Sequence, residues 1–134
     1  MSLNVERRER FTFYKLSNGE KEKVLREILD FLKDVNDILL IVLFGSFVKD
    51  KSFRDIDIGI YVKGVHDFLN YKFMLEGKLE KITGYPIDIK ILNHAPPWFV
   101  KRILEEGVIV YEKIEGLSVK IYKKALDEMY LGKN

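Results

Sequence analysis

The chain has 134 residues, 47% of them hydrophobic and 33% charged, which suits one globular domain, so residues 1–134 are expected to form a single unit. It contains no cysteine, which excludes disulfides and thiolate metal sites, and its net charge of +2 is spread along the sequence, which argues against an extended nucleic-acid surface. No apolar run reaches the length of a membrane span and the polar start, MSLNVERRER, lacks the apolar segment of a signal peptide, so the cytoplasm is the expected compartment.

The first third of the chain predicts a helix followed by a buried strand. Ser17 and Glu20 have the spacing of a capping box. Apolar residues then recur at helical spacing, so a helix is expected over 18–35. The run ILLIVLFG, 38–45, is apolar throughout, which is typical of a strand covered on both faces, and the glycine at its end predicts a turn.

The rest of the chain alternates between strands and helices. The segments DIDIGIYV (55–62) and YPIDIKIL (85–92) alternate apolar and polar residues, which predicts two half-buried strands. The other expected elements are helices over 68–82, 97–106 and 117–129 and a strand over 108–112. This order predicts a mixed α/β fold, a small central β-sheet flanked by helices, with the two alternating strands as neighbours at its centre.

Three aspartates are expected to meet on one face of this sheet. Strand side chains alternate, so Asp55 and Asp57 share a face. If the strand carrying Asp88 pairs beside them, with its isoleucines facing the same core, Asp88 joins that face. Like charges this close either raise each other's pKa or bind a cation, and an oxygen-only set favours Mg²⁺ or Mn²⁺. The sequence therefore predicts a hard-metal site.

The Gly45–Ser46 pair, at the end of the buried strand, completes the pattern. If residues 46–50 form a short helix, its backbone N–H groups and the Ser46 hydroxyl favour a phosphate, and metal ions beside a phosphate indicate phosphoryl or nucleotidyl transfer. Each part also has a plainer interpretation. An Asp-x-Asp is commonly a solvated strand face, Gly-Ser is commonly a turn, and Asp88 can be a charge that protects an edge strand from aggregation. The combination, in this order, favours the functional interpretation.

Together these motifs resemble those of the minimal nucleotidyltransferases, small members of the DNA polymerase beta superfamily. The resemblance covers most of the chain, roughly 24–112, and the matching segments are LFGSF (43–47), DIDIGIYV (55–62), YPIDIKIL (85–92) and APPWFVKRILEEGVIVYE (95–112). One departure is the spacing. Eight residues, FVKDKSFR, separate Gly-Ser from Asp-x-Asp, fewer than is usual in that family. We therefore expect the helix after Ser46 to be short, or its junction with the next strand to be tight.

The resemblance implies a role for each residue of the pattern. Asp55 and Asp57 would hold two Mg²⁺ ions, or Mn²⁺, together with the triphosphate of ATP. Asp88 would bind the metal under the attacking hydroxyl and help to deprotonate that hydroxyl. Gly45 and Ser46 would bind the terminal phosphates of the nucleotide.

The same resemblance implies a donor, an acceptor and a partner. Lys49 would add a contact to the phosphates, although a basic residue on a loop is often simply solvated. Minimal members of the family are commonly paired, as antitoxins, with small helical HEPN toxins, and they transfer AMP from ATP to a tyrosine of the toxin. The chain is therefore expected to be an Mg²⁺-dependent nucleotidyltransferase acting on a hydroxyl of such a partner, within a homo- or hetero-oligomer. The alternatives are a weak or inactive nucleotidyltransferase fold that neutralises its partner by contact, and a transferase acting on a small molecule.

Overall fold

The structure, a computed structural model, describes residues 12–132 as a mixed α/β fold. In chain order the elements are β1 (Tyr14–Lys15), α1 (Asn18–Leu32), β2 (Ile38–Phe44), α2 (Ser46–Lys49), β3 (Ser52–Phe53), β4 (Ile56–Val62), α3 (Phe68–Thr83), β5 (Ile87–Ile91), a 3₁₀ turn (Leu92–His94), α4 (Pro97–Glu106), β6 (Val108–Glu112) and α5 (Leu117–Tyr130). The segment MSLNVERRER, for which no signal peptide is predicted, lies outside the described residues. Within residues 12–132, no helix combines the length and the hydropathy needed to cross a membrane.

Four strands form a mixed sheet in the order β5-β4-β2-β6. Strand β2 pairs antiparallel with β4 and with β6, whereas β4 and β5 run parallel. The two alternating strands are neighbours, as predicted, but their predicted central position is wrong for β5, which lies at the edge. Strand β2 takes the centre beside β4 because its residues are buried along nearly the whole strand, which requires neighbours on both sides and cover on both faces.

Helices cover both faces of the sheet, and each face has its own apolar cluster. On one face, the isoleucines of β4 and β5 pack against α1 and α3. On the opposite face, Leu40 and Val42 of β2 pack with Leu92 and with Ile103 of α4. Because strand side chains alternate, the aspartates between the isoleucines lie on the α4 side of the sheet.

Helix α1 is shorter than predicted. The capping box is confirmed: Glu20 N–H donates to Ser17 Oγ at 3.1 Å, and Ser17 N–H donates to Glu20 Oε1 at 2.8 Å. The helix nevertheless ends at Leu32, and Val35 lies in the following turn, where its N–H donates to the Leu32 carbonyl at 3.0 Å. Val35 still packs against the core, so its helical spacing extended the predicted helix past its true end.

The two-residue strands β1 and β3 form a separate antiparallel ribbon that the sequence analysis did not predict, because so short a strand shows no alternation. Phe53 of this ribbon is fully buried, and its ring packs edge-on against Phe47 of α2 with centroids 4.9 Å apart. The connection between Ser46 and Asp55 is therefore anchored to the core at two points.

Candidate functional site

The three predicted aspartates meet at the end of the sheet where β2 finishes and where β4 and β5 begin. Asp57 and Asp88 are paired neighbours in the parallel β4–β5 ladder, and Asp57 also lies opposite Phe44, the last residue of β2. Asp55 directly precedes β4, and one carboxylate oxygen from each aspartate lies within 4.8 Å of those from the other two. The expected convergence of the three carboxylates is confirmed, whereas their role as metal ligands stays a prediction.

The negative charge of this cluster is poorly compensated at Asp57. Burial, followed by the charges of Asp55 and Asp88, raises the pKa of Asp57 from 3.8 to about 7, and Lys90 opposes that rise. A divalent cation among these oxygens would remove the repulsion that raises the pKa. All three side chains are half-buried carboxylates, and oxygen ligands are those that Mg²⁺ and Mn²⁺ prefer. The site therefore fits such a cation.

The raised pKa of Asp57 predicts how the stability of the metal-free protein depends on pH. The folded state holds this proton more tightly than the unfolded state, so the contribution to the free energy of unfolding is complete below about pH 4 and is lost as the pH rises to about 7. Because Asp57 is only half-buried, solvent screening limits the loss to about 1–2 kcal/mol. Urea denaturation in chelator at about pH 4 and about pH 8 measures it. The Asp57→Asn variant should lack this part of the pH dependence, and equal pH dependence in both proteins would contradict the prediction.

Gly45 allows the end of β2 to approach Asp57 closely. Its φ of +79° and ψ of −161° fall in a region of backbone conformation that is essentially restricted to glycine. A Cβ at this position would lie 2.2 Å from Asp57 Oδ2. The Gly45 carbonyl accepts hydrogen bonds from the N–H groups of Val48 and Lys49, each at 3.1 Å. These bonds form the first turn of α2, which begins at Ser46. The short helix predicted after Gly45 is thus confirmed.

Helix α2 is held in place from α1 by a lysine that the sequence analysis did not single out. Lys21 Nζ donates to the carbonyls of Phe47 and Asp50, both at 2.8 Å, and so satisfies carbonyl groups at the C-terminal end of α2. No local spacing could indicate this contact, because it joins two helices that are separated by β2. The contact holds α2, which begins at Ser46 directly after Gly45.

A cavity of about 240 Å³ opens beside Asp57, between the end of β2 and α4. Its lining consists of Phe44, Gly45, Lys49, Asp57, Phe99, Arg102, Ile103 and Glu106. Lys49, predicted to contact phosphates, therefore lines the same cavity as Gly45 and Asp57, and its Nζ donates to Glu106 Oε1 at 2.7 Å. Sequence reasoning missed Arg102 and Glu106, since only the packing of α4 on the sheet brings them here.

Two lysines contact Asp88, and neither was predicted to belong to the site. Lys72 Nζ donates to Asp88 Oδ1 at 3.1 Å and to the Ile89 carbonyl at 2.7 Å, and Lys90 Nζ lies 3.5 Å from Asp88 Oδ2. Glu76 accepts the Ile89 N–H at 2.8 Å and pairs with Lys72. Side chains of α3 thus satisfy the outer edge of β5. This weakens the interpretation of Asp88 as a charge that protects that edge.

The sequence matches a known family over most of its length. The family is described as Polymerase beta, Nucleotidyltransferase, and the match spans residues 26–116, which include every site residue named above except Lys21. Two proteins of Methanocaldococcus jannaschii, each named "Putative protein adenylyltransferase", are similar to this chain. One is 33% identical over 97 residues and the other 28% identical over 93 residues, and each alignment covers 68% of this chain and 94% of the relative.

Two solved structures with a similar fold come from toxin–antitoxin complexes. A chain in the crystal structure of a toxin–antitoxin with AMP-PNP has a TM-score of 0.66 and 21% identity, covering 83% of this chain and 87% of its own. A chain from a tri-AMPylated Shewanella oneidensis HEPN toxin in complex with MNT antitoxin has a TM-score of 0.62 and 19% identity, covering 84% and 85%. At these identities the likeness shows the fold, and it confirms the predicted α/β architecture.

Proposed function

The chain belongs to the polymerase beta nucleotidyltransferase family, and from that premise we propose that it is a single-domain enzyme that transfers AMP from ATP to a hydroxyl group of a partner protein. The observation that carries this proposal is the convergence of Asp55, Asp57 and Asp88 beside the Gly45–Ser46 turn. The relatives support the choice of donor and acceptor, because they are named as protein adenylyltransferases and the fold neighbours include a complex with AMP-PNP and an AMPylated toxin.

The metal in this proposal is Mg²⁺, or Mn²⁺, held by the three carboxylates as two ions. Asp55 and Asp57 would bind both ions, and Asp88 would bind the one nearer the acceptor. When bound, such ions neutralise charge on the phosphates and make the acceptor hydroxyl more acidic.

The protein's own residues bind the nucleotide and move the proton. The N–H groups at the start of α2 and the Ser46 hydroxyl would bind the terminal phosphates, with Lys49 adding a positive charge from the cavity that Gly45 also lines. Asp88 would take the proton of the acceptor hydroxyl. The hydroxyl oxygen forms a bond to the α-phosphorus while the bond from that phosphorus to the pyrophosphate oxygen breaks, so pyrophosphate leaves.

The acceptor is proposed to belong to a second protein, a small helical HEPN toxin for which this chain is the antitoxin. Within residues 12–132, the segment after the last strand forms α5, and Leu117 and Ile121 of α5 pack against the apolar cluster that α4 shares with the sheet. Helix α5 therefore completes the core instead of adding a separate unit for the acceptor.

The test is to incubate the purified chain with ATP labelled at the α-phosphate, Mg²⁺ and the HEPN protein encoded beside it in its genome. We expect label on the partner, a mass increase of one AMP for each modified hydroxyl, and release of pyrophosphate. A tight complex that stays unlabelled would overturn the enzymatic proposal. That result would favour neutralisation by contact, a function for which the short 47–54 connection provides the structural argument.

A further inference from the structure

The cavity beside Asp57 contains a carboxylate that the proposed reaction does not use. Glu106 is the last residue of α4, and its Oε1 accepts Lys49 Nζ at 2.7 Å and lies 3.7 Å from Arg102 Nε. Among residues 12–132, Lys49 and Arg102 are the basic residues that line this cavity, and Gly45 and Asp57 also line it. Both cations available to an incoming anion are thus already paired with Glu106.

The stability of the fold does not account for this placement of Glu106. The C-terminal end of a helix carries partial negative charge, so an acidic side chain there is unfavourable, and the last turn of α4 contains no basic residue. The side chains of Lys49 and Glu106 are 48% and 45% exposed, and ion pairs of such exposure contribute little to stability. The Lys49–Glu106 pair therefore affects mainly what the cavity can bind.

We propose that Glu106 is a specificity-determining residue that occupies the anion subsite of Lys49 and Arg102 in the free protein, so that a polyphosphate must displace its carboxylate to bind. This deepens the proposed function, on which it rests, by assigning the cavity between α2 and α4 to the nucleotide phosphates. A triphosphate carries several negative charges and can replace one carboxylate at both cations, whereas an anion with a single charge gains little from the exchange. Glu106 thereby selects for highly charged ligands at the expense of affinity.

The test compares Glu106→Gln with the unmodified protein by calorimetric titration with inorganic tripolyphosphate and with ATP, at one fixed Mg²⁺ concentration. Losing the competing carboxylate should tighten binding of both ligands about fivefold. This factor corresponds to the largest free energy that an exposed ion pair usually contributes. The gain should shrink as salt is added, because the competing interactions are screened. In turnover, the variant should show a lower KM for ATP with kcat unchanged.

Glu105 provides a matched control on the same helix. Glu105 forms an ion pair with Lys101 and accepts a hydrogen bond from the Tyr122 hydroxyl of α5. It does not line the cavity, so Glu105→Gln should leave the affinities for tripolyphosphate and ATP unchanged. In a Lys49→Met background, the gain from Glu106→Gln should be smaller, since part of the competition is for Lys49.

Unchanged or weaker tripolyphosphate binding by Glu106→Gln would overturn the inference, even if the unmodified protein transfers AMP. Tighter binding by this variant, with no transfer by either protein, would instead sustain the inference and count against the proposed function.

Discussion

Replacing Asp57 with asparagine is expected to reduce AMP transfer by at least about a thousandfold, the scale of a metal-dependent contribution of several kcal/mol. Asp57 clusters with Asp55, pairs with Asp88 across the β4–β5 ladder and lines the cavity beside Gly45, and in the proposed reaction it would contact both metal and phosphate. Asparagine has nearly the same shape as aspartate but carries no charge. The carboxylate oxygen that lies against Gly45, Oδ2, would therefore no longer be available as a metal ligand. Single-turnover labelling of the partner protein measures the loss.

Stability provides the control for Asp57→Asn. The metal-free variant should be more stable than the unmodified protein at about pH 8, because the carboxylate it loses is the one whose pKa is raised. Activity and stability should therefore change in opposite directions, which unfolding cannot produce. Asp30→Asn, at an exposed position on α1 that pairs with Lys33, should leave transfer unchanged. Transfer by Asp57→Asn above about a tenth of the normal rate would contradict the proposed role.

The acidic cluster could be predicted because it follows from two local rules. Alternation in a strand fixes the face of Asp57 and Asp88, and burial of the isoleucines of both strands in one core puts the two aspartates on the same side of the sheet once β4 and β5 are neighbours. The same rules do not say which strand lies beyond each member of the pair. For that reason β5 was expected at the centre of the sheet, whereas side chains of α3 cover its outer edge.

Apart from Lys90, which lies on β5 with Asp88, the charged residues that sequence reasoning missed reach the site from another element. Lys21 comes from α1, Lys72 from α3, and Arg102 and Glu106 from α4. Helical periodicity shows which face of each helix is buried, but the position of that face over the sheet depends on packing. The pair Lys72 and Glu76 has i,i+4 spacing, which is also the signature of an ordinary surface ion pair, so it gave no reason to connect α3 with Asp88.

Gly45→Ala is expected to destabilise the protein by about 2–4 kcal/mol and to slow transfer about a hundredfold. Two costs combine at this position. The backbone has φ of +79° and ψ of −161°, which a residue with a Cβ rarely adopts, and the added Cβ would lie 2.2 Å from Asp57 Oδ2. The added Cβ is attached directly to the backbone of residue 45 and cannot rotate away. The Asp57 side chain must therefore move, and the carboxylate cluster loses its arrangement. Urea denaturation and single-turnover labelling measure the two effects.

Gly84 is a control for a left-handed backbone that has no nearby contact. It has φ of +83° and ψ of 8° at the end of α3, a conformation that residues with a Cβ adopt at lower cost than that of Gly45, and a Cβ added there would meet no atom within 4 Å. Gly84→Ala should therefore cost about 1–2 kcal/mol and leave transfer intact. In an Asp57→Ala background, Gly45→Ala should also cost less, because the carboxylate it would strike is gone. If Gly45→Ala lowers the free energy of unfolding by the same amount in both backgrounds, the prediction is wrong. In that case the strained backbone, and not the contact with Asp57, is what requires glycine at the end of β2.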